Sequence, residues 1–320
     1  MGAGGRIYRG EKLDLPPAAD RRTVEEVDNR SEIREFLATR RARITPEQAG
    51  LMPGGGRRRV PGLRREEVAV LAGVSTDWYI RLEKGHIAGV SDDVLEAVAR
   101  ALQLDEAERA HLFDLARAAK PTRTPRRRSR VTVRPRVQWL LDSITASPAI
   151  ALNGRMDLLA TNALGRALYS PVYDDPRRPA NIARFQFLDP RARDFHPDWN
   201  GAANTTVAIL RTEAGRDPDD PGLRELVGEL STVSEEFRTR WAAHDVRIHR
   251  TGVKTFRHPV VGTLDLIYHS TSLPTEGRED LHLTTYTAEP GTASEDALKL
   301  LASWAATDAR QAREAAHEMS

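Results

Sequence analysis

The chain has 320 residues, 40% of them hydrophobic, with no cysteine and no run of eighteen apolar residues. That composition excludes a wholly disordered chain, a membrane-spanning helix, disulfides, thiol catalysis, zinc ribbons and iron–sulfur ligation. The net charge of +2 hides an asymmetry. Residues 1–136 carry 28 Lys and Arg against 20 Asp and Glu, a net +8, whereas residues 137–320 carry 20 against 26, a net −6. One part is suited to a polyanion and the other is not. Thirteen of the 18 aromatic residues follow residue 136, which suits a larger core able to line a pocket. The opening residues lack the apolar segment of a secretion signal, and the expected compartment is the cytoplasm, with no membrane partner.

Residues 1–30 are rich in Gly, Pro and charge without periodicity and read as a disordered tail. Residues 31–43 read as a helix, with Ser31 as its cap and Ile33, Phe36 and Leu37 on one side. A Gly- and Pro-rich loop follows and contains the run Arg57, Arg58 and Arg59. Residues 63–73 form a second helix with Arg64 and Arg65 in its first turn, ended by Gly73. Ser75 caps a third helix to Lys84, turning Val74, Tyr79 and Leu82 inward. Its outward set is Thr76, Asp77, Ile80, Arg81 and Lys84. Two short helices joined by a Gly-Val turn make a helix-turn-helix, whose second helix enters the major groove. Two amphipathic helices, 91–104 and 105–119, complete a five-helix domain over 31–119.

Within this domain the candidate DNA contacts are Arg57, Arg58, Arg59, Arg64, Arg65, Ser75, Thr76, Asp77, Ile80, Arg81 and Lys84. The planar fork of Arg81 matches guanine O6 and N7. Asp77 either reads cytosine N4 or caps the helix. The Arg57–Arg59 run is either a solvated loop or an arm for phosphate or the minor groove. Trp78 and Tyr79 are read as core supports.

Residues 120–136 form a basic, Pro-containing linker without an acid, either a solvated hinge or a further phosphate contact. Residues 137–145 read as a short helix and 148–162 as a hairpin about the Asn153–Gly154 pair. A helix follows from Ala163. Helical stretches cover 201–216, 222–231 and 234–245, then come three strand-like segments and a C-terminal helix. The order suggests a five-stranded antiparallel sheet with helices on one face, an α+β domain over 137–320. Leu298, Leu300, Leu301 and Trp304 of the last helix either cover the sheet or supply a dimer interface.

Phosphate-binding, nucleophile-elbow and zinc-protease motifs are absent from the sequence, and the nine histidines are scattered, so neither catalysis nor a cofactor is expected.

The runs RREEVAVLAGVSTDWYIRLEKG and SDDVLEAVARALQLDEAERAHLFDLA resemble the XRE-type, lambda-repressor-like helix-turn-helix of many actinobacterial regulators. VPGLRREEVA, the D-W-Y at 77–79, and the later RFQFLDPRAR, AGRDPDDPGL, HPVVG and TAEPG resemble the MmyB-like regulators over roughly residues 31–302. That resemblance implies a PAS-like ligand-binding domain in the second half and a small hydrophobic ligand, fatty-acid-like. A PAS-like domain holds its ligand between sheet and helices. The candidate lining residues are Trp139, Leu152, Leu158, Phe185, Phe187, Trp199, Phe237, Trp241, Leu266 and Tyr268, or else these are ordinary core. Asn162, Arg184, Asn204, His244 and His258 are candidate polar anchors, and Arg184 or Arg247 either holds a ligand carboxylate or makes a surface ion pair.

The expected function is transcription regulation, by a homodimer on a double-stranded operator whose second domain senses the ligand. The alternative is a DNA-binding adaptor whose second domain binds a protein. An enclosed cavity in the second domain favours the first, and a filled core with an exposed apolar patch the second.

Overall fold

The computed structural model describes residues 19–51, 62–119, 134–243, 251–273 and 281–318. The Arg57–Arg59 run, most of the linker, His244 and Arg247 lie outside the described residues. The chain folds as a helical unit followed by an α+β unit.

Helix α1, Ala19–Arg43, begins inside the stretch expected to be a tail. Residues 19–30 have no apolar periodicity, but extending a helix already nucleated on the buried Ile33, Phe36 and Leu37 costs little per residue. Helices α2, Arg65–Ala72, and α3, Thr76–Glu83, form the helix-turn-helix. Gly73 between them has φ 68°, a left-handed conformation that glycine adopts without strain. Helices α4, Asp92–Ala101, and α5, Glu106–Ala118, close the unit. Asp105 caps α5 reciprocally with Glu108, accepting its amide at 2.8 Å while Glu108 accepts the Asp105 amide at 3.1 Å. Val68, Tyr79, Leu82, Val98 and Leu112 fill the core with the α1 residues.

The second unit begins with α6, Pro135–Ser143, followed by the hairpin β1, Ala149–Leu152, and β2, Asp157–Thr161. The hairpin turn is longer than an Asn-Gly pair requires. Asn153 and Gly154 lie in a four-residue connection whose left-handed residue is Met156, φ 64°. The Asn153 side-chain oxygen closes this turn by accepting the Arg155 and Asp157 amides at 3.1 and 2.9 Å. Short elements follow: α7, Ala163–Leu168; α8, Ser170–Tyr173; β3, Ala180–Asn181; α9, Ile182–Leu188; and α10, Ala192–Phe195. The helical layer continues with α11, Trp199–Arg216, α12, Pro221–Val233, and α13, Glu235–Ala242. Strands β4, Thr251–His258, β5, Gly262–Leu273, and β6, Leu281–Thr287, precede α14, Ala293–Glu318.

Among the described residues the sheet has six strands, not five, in the order β3-β2-β1-β6-β5-β4, every pairing antiparallel. The added strand is the two-residue β3, too short to leave a period-two pattern. Ile150, Leu266, Tyr268 and Tyr286 face the main helical layer, while Ala149, Ala151, Leu281 and Leu283 face the other way under Leu141 of α6. Helices therefore cover both faces rather than one. In α14, Leu298 and Leu301 join the core and Leu300 is exposed, so this helix covers the sheet.

The two units meet where α5 lies against α11. Arg211 of α11 is 1% exposed. Its guanidinium stacks on Trp241 at 3.8 Å, donates to the Trp241 carbonyl, and pairs with Glu32 of α1 at 2.5 Å. Beside it His111 of α5 is fully buried over Gly215, where an added Cβ would lie 2.3 Å from the imidazole Cε1.

Candidate functional site

Between the inner face of the sheet and α11 lies a cavity of about 760 Å³. On α11 it is lined at positions 201, 202, 205, 206, 209, 212, 213 and 216, a helical stripe. The stripe spans roughly 22 Å at ~1.5 Å per residue. Leu152, Met156, Ile182 and Ile209 supply apolar wall. Ser270, Ser272, His282 and Thr284 on β5 and β6 supply a polar one. Strand register aligns that wall, with Ser270 opposite Thr284 and Ser272 opposite His282. Ala107, Ala110 and Asp114 of α5 close the end near Glu213 and Arg216, so the helical unit contributes to the rim. Arg216 stands 3.9 Å from Asp114 and 3.8 Å from Glu213 there.

The other end is lined by Tyr169, Gln186, His196, Lys254 and Tyr286. On β4, Phe256 and His258 face inward and Lys254 shares their side of the strand. The Lys254 ammonium lies 5.0 Å from the centre of the Phe256 ring and 5.9 Å from that of Tyr169. Burial lowers its pKa to about 8. His196 is 2% exposed, and burial and then the Lys254 charge hold its imidazole well below the usual range. Neither of its ring nitrogens has a hydrogen-bond partner among the described residues, and neither has Gln186 Oε1. Tyr169 and Tyr286 share one hydroxyl–hydroxyl hydrogen bond of 2.5 Å, and burial raises both pKa values.

Of the expected lining residues, Leu152 and Tyr268 reach this cavity. Leu158, Phe185, Trp199, Phe237 and Leu266 are instead buried core, and Phe187 and Trp241 pack against it. Trp139 is 70% exposed on α6. The expected anchors have other work. Asn162 caps α7 through the Gly165 amide at 2.7 Å and accepts the Ala149 amide at 3.0 Å. Arg184 pairs with Glu229 at 2.7 Å, so a ligand carboxylate would have to displace that acid. Asn204 is exposed and accepts from Arg240 at 2.9 Å. His258 is 1% exposed, with Nε2 3.0 Å from the Ala167 carbonyl oxygen. Periodicity marks inward positions but does not separate core from cavity wall, so it does not reveal the α11 stripe or the Lys254 end. The detectable signal is a lysine in register with the inward Phe256 and His258.

On the helix-turn-helix, Thr76, Asp77, Arg81 and Lys84 are exposed and Ile80 is half-buried. Ser75, not Asp77, is the cap, accepting the Trp78 amide at 3.2 Å. Arg64 is exposed and lies 3.4 Å from Glu66. Arg65 is engaged by Glu83 at 2.9 Å, and Arg41 of α1 donates to the same carboxylate at 2.8 and 2.9 Å. Glu83 is 1% exposed. Burial would raise its pKa, but the hydrogen bonds from Arg41 and Arg65 outweigh that and lower it. This three-residue clamp, which no local pattern announces, fixes α3 against α1 and α2.

Two family models match the chain. Residues 133–301 match the MmyB-like transcription regulator ligand binding domain, and residues 32–112 match a helix-turn-helix domain. No curated protein matches.

Proposed function

This chain belongs to the MmyB-like transcription regulators, and from that premise we propose that it binds a specific DNA operator through α3 and senses a small, apolar, fatty-acid-like molecule in the cavity along α11. The observation that carries this reading is the cavity itself, whose rim includes α5 of the DNA-binding unit. An adaptor that bound only protein would have no use for a space of about 760 Å³ inside its second domain. The reading is regulatory, with no catalytic step, and its compartment is the cytoplasm. Thr76, Asp77, Arg81 and Lys84 are the base-facing set, Arg81 first among them. The protein acts as a homodimer over two half-sites. Ligand occupancy alters DNA binding only as far as the ligand binds one arrangement of the two units more tightly than another.

The test is mass spectrometry of small molecules carried through purification by the full chain, followed by operator binding with and without the molecule found. Retention of an apolar compound that shifts operator affinity is the expected result. A chain that binds operator but takes up no small molecule would refute the sensor half of the reading.

A further inference from the structure

The joint between the two units inverts the charge of each. Residues 137–320 carry 20 basic against 26 acidic residues, a net −6, yet they meet the DNA-binding unit through arginines, Arg211 and Arg216 of α11. The DNA-binding unit, set in the basic part of the chain, meets them with acids, Glu32 of α1 and Asp114 of α5. We propose that this joint is a releasable latch centred on Arg211 and Glu32, and that while closed it holds the acidic unit against the DNA-binding unit and so weakens DNA binding. The proposal rests on the reading of the chain as a DNA-binding regulator and adds the contact through which one unit restrains the other.

The seam is built from polar groups that water serves as well. Arg211 and Glu32 pair at 2.5 Å with both side chains largely buried. A buried ion pair gains little net stability, because its Coulomb attraction is set against the desolvation of two charges. Arg211 Nε and both ring nitrogens of His111 have no hydrogen-bond partner among the described residues. The Glu32 carboxylate stands 3.8 Å from His111 Nε2, beyond hydrogen-bond reach. Each of these atoms is desolvated while the joint is closed and hydrated when it opens. Asp114 and Arg216, 3.9 Å apart, add only a loose second pair. That pair is also cavity wall, so a molecule reaching the α5 end meets the joint directly.

Opening costs neither unit its fold. Each has its own hydrophobic cluster, and the stacking of Arg211 on Trp241 lies within the second unit. Helix α1 carries both Glu32 and Arg41, which holds Glu83 of α3. The Arg41–Glu83 clamp belongs to the DNA-binding unit alone and survives release, so α3 stays presented to DNA. What changes is the position of the acidic unit. At low salt, where charges act over about 30 Å, a negative body held beside the DNA-binding unit is felt by the phosphates. By linkage, DNA in turn favours the open state.

The chain has no cysteine, so a pair introduced at Val70 of α2 and Val233 of α12, 73% and 67% exposed, takes spin labels without competition. Electron–electron double resonance on the labelled full chain reads the separation of the units. Fluorescence anisotropy with a mixed-sequence DNA duplex reads binding by the unlabelled chain at about 10 mM and 150 mM salt, where screening lengths are about 30 and 8 Å. The unaltered chain should give one narrow distance. Arg211→Met leaves the Glu32 carboxylate unpaired in the seam and should broaden the distribution. It also makes the chain more negative, which by itself opposes DNA binding. It should nevertheless bind the duplex at least about twofold more tightly at the lower salt, with the gain fading at the higher. Glu32→Met combined with Arg211→Met restores the net charge and replaces the pair by apolar contact. It should return the single narrow distance and bind no more tightly than the unaltered chain. An unchanged distribution in Arg211→Met, or a double variant as open as that single one, overturns the latch. A broadened distribution without tighter binding at low salt overturns the restraint. Each of these leaves the regulator reading standing, whereas failure of the unaltered chain and both variants to bind the duplex overturns that reading itself.

Discussion

Replacing Gly215 by alanine tests the contact between the two units. Gly215 lies in the last turn of α11, where alanine is the better helix former by about 1 kcal/mol. On helix propensity alone, Gly215→Ala should stabilise. The added Cβ, however, would stand 2.3 Å from Cε1 and 2.5 Å from Nδ1 of His111. Ordinary contact needs about 3.5 Å, so the ring must retreat by about 1 Å. His111 is fully buried and packs edge-on against Phe36 at 5.0 Å, which leaves it no space to yield. Overpacking of this kind costs about 1–3 kcal/mol. The expected net effect is a destabilisation of up to about 2 kcal/mol, expressed as separation of α5 from α11. Urea unfolding of the full chain reads the loss, and small-angle scattering reads the separation. In a His111→Ala background the obstacle is gone, and Gly215→Ala should become neutral or stabilising. The sign should therefore reverse between backgrounds. If Gly215→Ala stabilises in both, α5 does not press on α11 in solution and the reasoning fails.

Other expectations follow from the same geometry. Glu83→Ala should cost about 3 kcal/mol by leaving Arg41 and Arg65 without their shared acceptor, measured by chemical denaturation. Because the folded pKa of Glu83 lies below its unfolded value, its contribution is complete above about pH 4.3 and is lost as pH falls through the folded value. Glu83→Gln should flatten that acid limb. Arg81→Ala should cost about 1–3 kcal/mol on operator and relax preference at one base position; a loss equal for all sequences would remove Arg81 from the base readers. Alanine at Arg57, Arg58 and Arg59 together should reduce the salt slope of DNA binding by about 0.9 for each phosphate no longer neutralised. Light scattering on and off DNA should show a dimer, and a monomer in both states would refute the half-site arrangement.

The helical unit was legible from residue patterns because its devices are local. Ser75, Gly73 and the Asp105–Glu108 pair act within a few positions of themselves, and caps of that kind are written in the chain. The α+β class was legible from the order of strand-like and helical stretches. What was not legible depends on long-range pairing. Glu32 and Arg211 are 179 positions apart, Arg184 and Glu229 45 apart, and nothing near either residue announces its partner. The aromatic residues expected around a ligand are mostly core: Phe185, Phe237 and Trp199 are buried within the main hydrophobic cluster. At the start of α11 the wall of the cavity is made from smaller residues, Gly201, Ala202, Thr205 and Thr206, whose modest size leaves the space open. A search for conspicuous residues passes over them for that reason.

The stripe along α11 gives the cavity a scale. Its two ends are chemically unlike, with Lys254 and His196 at one and Ala107 and Ala110 of the DNA-binding unit at the other. A molecule lodged at the end away from α5 would touch α5 only if it extended along most of the roughly 22 Å that separates positions 201 and 216. Shorter molecules would lodge at the far end and leave the DNA-binding unit unaware of them. On the proposed reading, occupancy and response would be separable in this fold, and the length of the ligand would be the quantity that divides them.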